Sequence, residues 1–299
     1  VIPGVGNVPL GVTGRSPKSP GSRPPHAGGW IRKPNPRPPG VLMPRSVSCT
    51  IRLAAVAVVA VVPALGAVAP AAAEDEAALQ QLSPTAECPF AAGPTGQYTT
   101  EMMGPYVQCF LPSIESWIDA TYTDMPHPNA YYAVSAGKPG EAAPGCAYDE
   151  NSLMYCAADR SLYIGEKAAR ELVSDYGEIA VAAVLSHEVT HHFQTMLGLP
   201  QPDPAEPNSA IPYENQADCG SGAFVAYSER DLGVTIEQAD LASLGRAFAA
   251  VGEDKGPERT HGTVEQRIQA FDTGYLSPSP TPLLSCVDYV PDAPLAYVG

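Results

Sequence analysis

The chain has 299 residues, with 17 Lys and Arg against 32 Asp and Glu and a net charge of −15. The charge is unevenly spread: 1–73 carry basic side chains such as Arg15, Arg45 and Arg52 and no acid, so the remainder is strongly acidic. An acidic body is repelled by phosphate backbones, which excludes nucleic acid as an expected partner, and 74–299 is long enough for one domain with a substantial core.

Residues 1–42 are rich in Pro, Gly and Arg and show no apolar periodicity. Such a stretch cannot bury enough apolar surface to offset its chain entropy, so a disordered leader or a mis-assigned start is expected, with Met43 the natural beginning. From Met43 a short basic stretch enters an Ala/Val/Leu run, Leu53 to Ala69, and Ala71-Ala72-Ala73 then precedes Glu74-Asp75-Glu76. That order describes a secretory signal peptide over 43–73. An uncleaved anchor is the alternative, because the run approaches the ~20 residues that span a bilayer. Small side chains, Pro63 and the Ala-x-Ala ending favour cleavage. The expected product is a secreted or cell-envelope protein with no stable membrane span, its domain occupying 74–299.

Six cysteines lie beyond the signal segment: Cys88, Cys109, Cys146, Cys156, Cys219 and Cys286. An even number in an exported chain favours disulfides. The expected pairs are Cys88–Cys109, Cys146–Cys156 and Cys219–Cys286. None has the C-x-x-C spacing of a structural zinc site.

Residues 77–100 read as an extended lead-in punctuated by Pro and Gly. Ile114, Trp117 and Ile118 at helical spacing predict a helix from Pro112 to about Tyr122. Tyr131 to Ser135 suits a strand, and 137–145 a loop. Ser152 to Ala157 and Ser161 to Ile164 read as two strands about a short turn. A short helix over Glu166 to Val173 ends before Gly177, and a long one follows from Glu178 to Leu197, closed by Gly198 and Pro200. Residues 200–210 form a Pro-rich loop. Helices follow over Tyr213 to Asp231 and Thr235 to Val251, and a last one begins at Thr263 with Gln266 as capping-box partner. The tail from Leu276 is read as loop.

The long helix carries His187-Glu188-Val189-Thr190-His191, an H-E-x-x-H pattern. Four-residue spacing puts both imidazoles on one helical face, able to grip one zinc ion. Glu188 beside them is placed to take a proton from a water that the metal acidifies. A catalytic zinc takes three protein ligands and keeps a position open. Glu214 and Asp218, four apart on the next helix, supply the candidate third ligand in Glu214 and, in Asp218, an acceptor for the outer nitrogen of His187. His192 is rotated about 100° from His191 and belongs to packing. His261, just before the last helix, is a candidate donor to a developing oxyanion, as is Tyr275. His127 is a loop residue, and His26 falls in the leader. The strand Ser161 to Ile164, taken as a sheet edge above the metal, could hold an extended peptide by backbone pairing.

Four segments together resemble the putative neutral zinc metallopeptidase family of bacteria: Met154 to Tyr163, Ser186 to Gln194, Glu214 to Cys219, and His261-Gly262-Thr263 with Glu265-Gln266-Arg267. The resemblance covers roughly 130–275. It implies an α+β, zincin-like fold, mostly helical with a small antiparallel sheet beside the active-site helix, and zinc-dependent hydrolysis of a peptide or protein substrate. Carried over by position, it implies His187 and His191 as ligands, Glu188 as acid/base and Glu214 as third ligand. The chain departs from the pattern at Thr190, where the family usually has Gly, adding bulk on the active helix, and at Gly220-Ser221-Gly222, where larger residues are common. The competing reading is a non-catalytic cell-envelope scaffold that keeps the peptidase fold; a hydrolase acting on a non-peptide amide or ester would use the same site chemistry.

Overall fold

The computed structural model describes residues 78–85, 98–203, 205–252, 259–277 and 282–290. The leader, the signal segment and Cys88 lie outside these residues. The elements in chain order are β1 (Leu79–Leu82), α1 (Met103–Gln108), α2 (Leu111–Thr121), β2 (Ala130–Val134), β3 (Gly140–Glu141), β4 (Ala147–Tyr148), β5 (Leu153–Cys156) and β6 (Ser161–Gly165). They continue with α3 (Glu166–Tyr176), α4 (Glu178–Met196), α5 (Ile211–Arg230), α6 (Gln238–Val251) and α7 (Val264–Tyr275), and 3-10 turns occupy Thr100–Met102 and Pro282–Tyr289. The architecture is mixed α+β, predominantly helical. Among the described residues no helix is long and apolar enough to cross a membrane.

The main sheet has four strands in the order β1-β2-β6-β5. The expectation of an antiparallel sheet is corrected in one place: β2 and β6 run parallel, from Ala130↔Ser161 to Val134↔Gly165, while the two outer pairings are antiparallel. These central strands are buried on both faces, β6 throughout. Parallel strands covered on both faces carry no apolar/polar alternation from which orientation could be read. A second correction follows. Ser161 to Ile164 lies inside the sheet, so it cannot accept a peptide; the edge on that side is β5.

A two-stranded β3-β4 ribbon begins within the segment read as loop and ends just beyond it, and Cys146–Cys156 ties it to β5. α1 and the closing 3-10 segment also went unread. α1 is a single turn and a half centred on Pro105, too short to show a period.

α4 forms because a nearly unbroken apolar run follows Gly177, whose φ of +83° lets the chain reverse out of α3. It stops at a Schellman cap: Gly198 has φ +72°, its N–H reaches Thr195 O, and Leu199 N–H reaches Gln194 O. One face of α4 enters the core, where Phe193 meets Trp117 of α2 with ring centroids 5.1 Å apart. Trp117 also meets Phe224 of α5 at 5.4 Å. Each such pair adds about 0.5–1.5 kcal/mol beyond the area buried. The aromatic triad thereby locks α4 against α5, the helix pair that carries the candidate ligands.

Small residues let the helices close up. A Cβ on Gly222 would overlap Phe271 O of α7, and one on Gly274 would overlap Cys219 O of α5, so α5 and α7 pack backbone to backbone. Cys219–Cys286 joins α5 to the terminal 3-10 segment. Both expected disulfides with two described cysteines are present; Cys109 is disulfide-bonded, and the pairing with Cys88 is outside the described residues.

Candidate metal centre

His187 and His191 leave α4 on one face, and Glu214 faces them from the first turn of α5. One ligand atom from each lies within 4.8 Å of the others. The His187 and His191 Nε2 atoms are 3.2 Å apart, and Glu214 approaches them at 3.1 Å and 3.5 Å respectively.

The outer nitrogens decide what these atoms can be. His187 Nδ1 lies 2.9 Å from Asp218 Oδ1, a carboxylate that also receives Arg267 Nε at 2.8 Å and Nη2 at 2.9 Å. His191 Nδ1 lies 2.8 Å from Gln194 Oε1. The Gln194 amide nitrogen donates to Tyr213 O and to Gln216 Oε1, which fixes Oε1 as the side facing His191. Both imidazoles therefore carry Nδ1–H when neutral and present bare Nε2 lone pairs to each other and to a carboxylate. Three acceptors converging on one point require a cation or protons between them. The donor set, two imidazoles and a carboxylate, suits zinc.

The electrostatics agree. Burial alone would push the His187 imidazolium down, but Asp218 and Glu214 outweigh it and hold its pKa up at about 10. Burial opposes ionisation of Glu214 too, yet bonds from His187 and His191 hold its carboxyl far below the usual range. The arrangement of donors thus favours positive charge between them.

Glu188 is turned toward the sheet, where its Oε2 accepts the Tyr155 backbone N–H of β5 at 2.8 Å. Burial raises its carboxyl pKa, with the two imidazoles pulling the other way. His261 enters from the loop before α7, its Nε2 3.3 Å from Glu214 Oε2 and its Nδ1 2.9 Å from Thr260 Oγ1. These groups line a cleft of about 350 Å³ whose other walls include β5 at Met154 and Tyr155 and the loop at Pro200.

Other candidates fall elsewhere. Tyr275 donates to Glu229 Oε2 at 3.0 Å and does not line the cleft, so it is not placed to meet an oxyanion. His192 is fully buried, its Nε2–H on Pro126 O at 2.7 Å and its Nδ1 3.1 Å from Tyr155 Oη, a packing position. His127 pairs with Glu115 and Asp119 near the surface.

Gln194, Gln216 and Arg267 were named in the sequence but given no task. Gln216 Nε2 donates to Cys286 O at 3.1 Å, so the chain supporting His191 ends at a disulfide. Gln194 could have been found: three residues after His191, it shares that helical face. Arg267 could not, because its meeting with Asp218 is made by tertiary packing alone.

Thr190 also needs reinterpretation. Its side chain is buried, bonds back to Ser186 O at 2.8 Å, and occupies the space a Cβ on Gly220 would need. The two departures from the family pattern touch each other. The added bulk faces α5, not the cleft.

An H-E-x-x-H helix with a third acceptor on the adjoining helix forms a set of groups that could hold a metal ion. Residues 134–286 match the family described as "Putative neutral zinc metallopeptidase", and the chain belongs to that family. An uncharacterized protein of Mycobacterium tuberculosis is 27% identical over 209 residues, covering 58% of this chain and 69% of the relative. The uncharacterized Escherichia coli protein YpfJ is 30% identical over 166 residues, covering 47% of this chain and 57% of the relative. No solved structure matches.

Proposed function

We propose that the protein is a zinc-dependent peptidase acting outside the cytoplasm, with His187, His191 and Glu214 holding the ion. The observation that carries this reading is the convergence of two bare Nε2 atoms and the Glu214 carboxylate beside a buried Glu188. A zinc ion bound there supplies a Lewis acid for a carbonyl and acidifies water. Glu188 removes the water's proton through Oε1, because Oε2 is tied to Tyr155 N–H, and passes it to the departing amine. Burial, by raising the Glu188 carboxyl, suits it to accept that proton and release it again. Asp218 and Gln194 keep each imidazole in the tautomer that leaves Nε2 inward. His261, at the cleft rim, donates to the oxyanion.

β5 is the edge strand lining the cleft, and an extended peptide could pair with its outer groups other than Tyr155 N–H, which Glu188 holds. The two disulfides accord with an oxidising, extracytoplasmic setting. A scaffold without turnover would use Glu188 Oε2 to tie α4 to β5 but would have no use for Oε1 turned to the cleft. The test is Glu188→Gln: the variant should keep one equivalent of zinc and its fold while peptide cleavage drops about 10²–10⁴-fold, the usual contribution of a general base. Undiminished cleavage by that variant defeats the assignment of Glu188; no cleavage by the zinc-loaded wild type favours the scaffold.

A further inference from the structure

A second cavity, about 260 Å³, opens next to the cleft, along the turns of α4 that precede His187. It shares Leu153, His187, Glu188 and His261 with the cleft, so the two spaces meet at the reacting position, whereas His191 and Glu214 line only the cleft. Its other walls are largely apolar: Leu172 and Tyr176 from α3, Ala180 and Ala183 from α4, Leu244 and Phe248 from α6. The room arises because Ala180 and Ala183 lie seven and four residues before His187, on its own helical face, and carry almost no side chain. Apart from the shared Glu188, the full charges on its wall among the described residues are Asp218 and Arg267, which neutralise each other through two hydrogen bonds and have no charge to offer an occupant.

From this we infer that the recess is a specificity pocket for an apolar side chain of leucine to phenylalanine size, borne by the substrate residue on the amine side of the cleaved bond. The inference rests on the peptidase reading above. The side follows from Glu188: its carboxyl must reach the departing amine to deliver the proton, and the recess adjoins Glu188 rather than His191. An acidic side chain entering there would lose its water and face the Glu188 carboxyl, and a basic one would be paired only by tying up that carboxyl, which the reaction needs. A glycine would leave the apolar walls unfilled, and methylenes in such pockets discriminate by roughly 10–200-fold.

The experiment uses zinc-loaded protein and pooled peptides varied on both sides of the cleaved bond, with products identified by mass spectrometry. Leucine, methionine or phenylalanine on the amine side should be preferred at least tenfold over glycine, aspartate or lysine. Ala247→Leu, which fills the wall from α6, and Val251→Trp, which narrows the rim at an exposed position, should each cut that preference about tenfold while zinc content is unchanged. Cleavage without amine-side preference, or a preference that both variants leave intact, overturns the inference. Should no peptide be cleaved, the peptidase reading fails, and the pocket is then read by binding alone: a hydroxamate carrying an isobutyl group should bind the zinc-loaded protein at least tenfold more tightly than its methyl counterpart. Equal affinity refutes the pocket independently of turnover.

Discussion

Asp218→Asn isolates the support behind His187. Three donors converge on this buried carboxylate: Oδ1 receives His187 Nδ1 and Arg267 Nη2, each at 2.9 Å, and Oδ2 receives Arg267 Nε at 2.8 Å. An amide keeps one acceptor oxygen and sets an NH₂ group against the guanidinium or the imidazole. Arg267, 7% exposed, is left as a buried charge without a counter-ion. Removing one member of such a pair costs about 3–5 kcal/mol of stability, which urea unfolding at pH 7 will register. Zinc affinity, measured by competition with a chromophoric chelator, should fall about 10–100-fold as the ring loses its orienting acceptor. The double variant Asp218→Leu with Arg267→Met separates the two effects. Exchanging a whole buried ion pair for apolar side chains is often close to neutral, so stability should return to within about 2 kcal/mol of wild type. Affinity should stay low, because His187 Nδ1 still has no acceptor. If affinity recovers together with stability, or Asp218→Asn binds zinc as tightly as wild type, Asp218 does not orient the ligand and the reasoning is wrong.

Gln194→Leu should weaken zinc binding about tenfold by freeing the His191 ring, and an unchanged competition titration would show that Gln194 merely packs. Breaking Cys219–Cys286, which closes a 67-residue separation, should cost about 4 kcal/mol, against about 3 kcal/mol for Cys146–Cys156 with its separation of 10; equal losses on denaturation of the paired Ser variants would contradict the loop-entropy basis. Burial lowers the His192 pKa despite the Pro126 carbonyl, while in the unfolded chain it titrates near pH ~6.5. The unfolded state therefore binds more protons, so this contribution is intact above about pH 6.5 and is lost as pH falls through the lowered folded value. His192→Gln should flatten the loss of stability on acidification relative to wild type, and an identical slope would count against it.

How much could be read in advance differed with the range of the contact. α2, α4, α5 and the Thr263–Gln266 capping box announce themselves through local period and cap chemistry. His187, Glu188 and His191 sit on one such helix, and Glu214 and Asp218 on another, so each cluster was visible alone. That the two helices face each other is inferred from the need of a catalytic zinc for a third ligand, and the family resemblance implies the same; no local signal along either helix encodes it. The parallel β2–β6 pairing joins residues about 30 apart through two-sided burial, and no pattern along either strand encodes it. Arg267, Gln216 bonded to Cys286 O, and the recess beneath α4 are likewise products of packing between distant segments. The interlocking of Thr190 with Gly220 was the least legible, since each looked like an isolated oddity until the helices met.

The glycine contacts between α4, α5 and α7 have a bearing on how the ion arrives. Where α5 and α7 abut backbone to backbone and the Thr190 side chain of α4 fills the space over Gly220, these helices have little freedom to slide or splay, which sets the spacing of the three candidate donor atoms. On the zinc reading proposed above, loading would resemble dropping a bead into a finished mould, because the donors are ordered by folding and not by the ion.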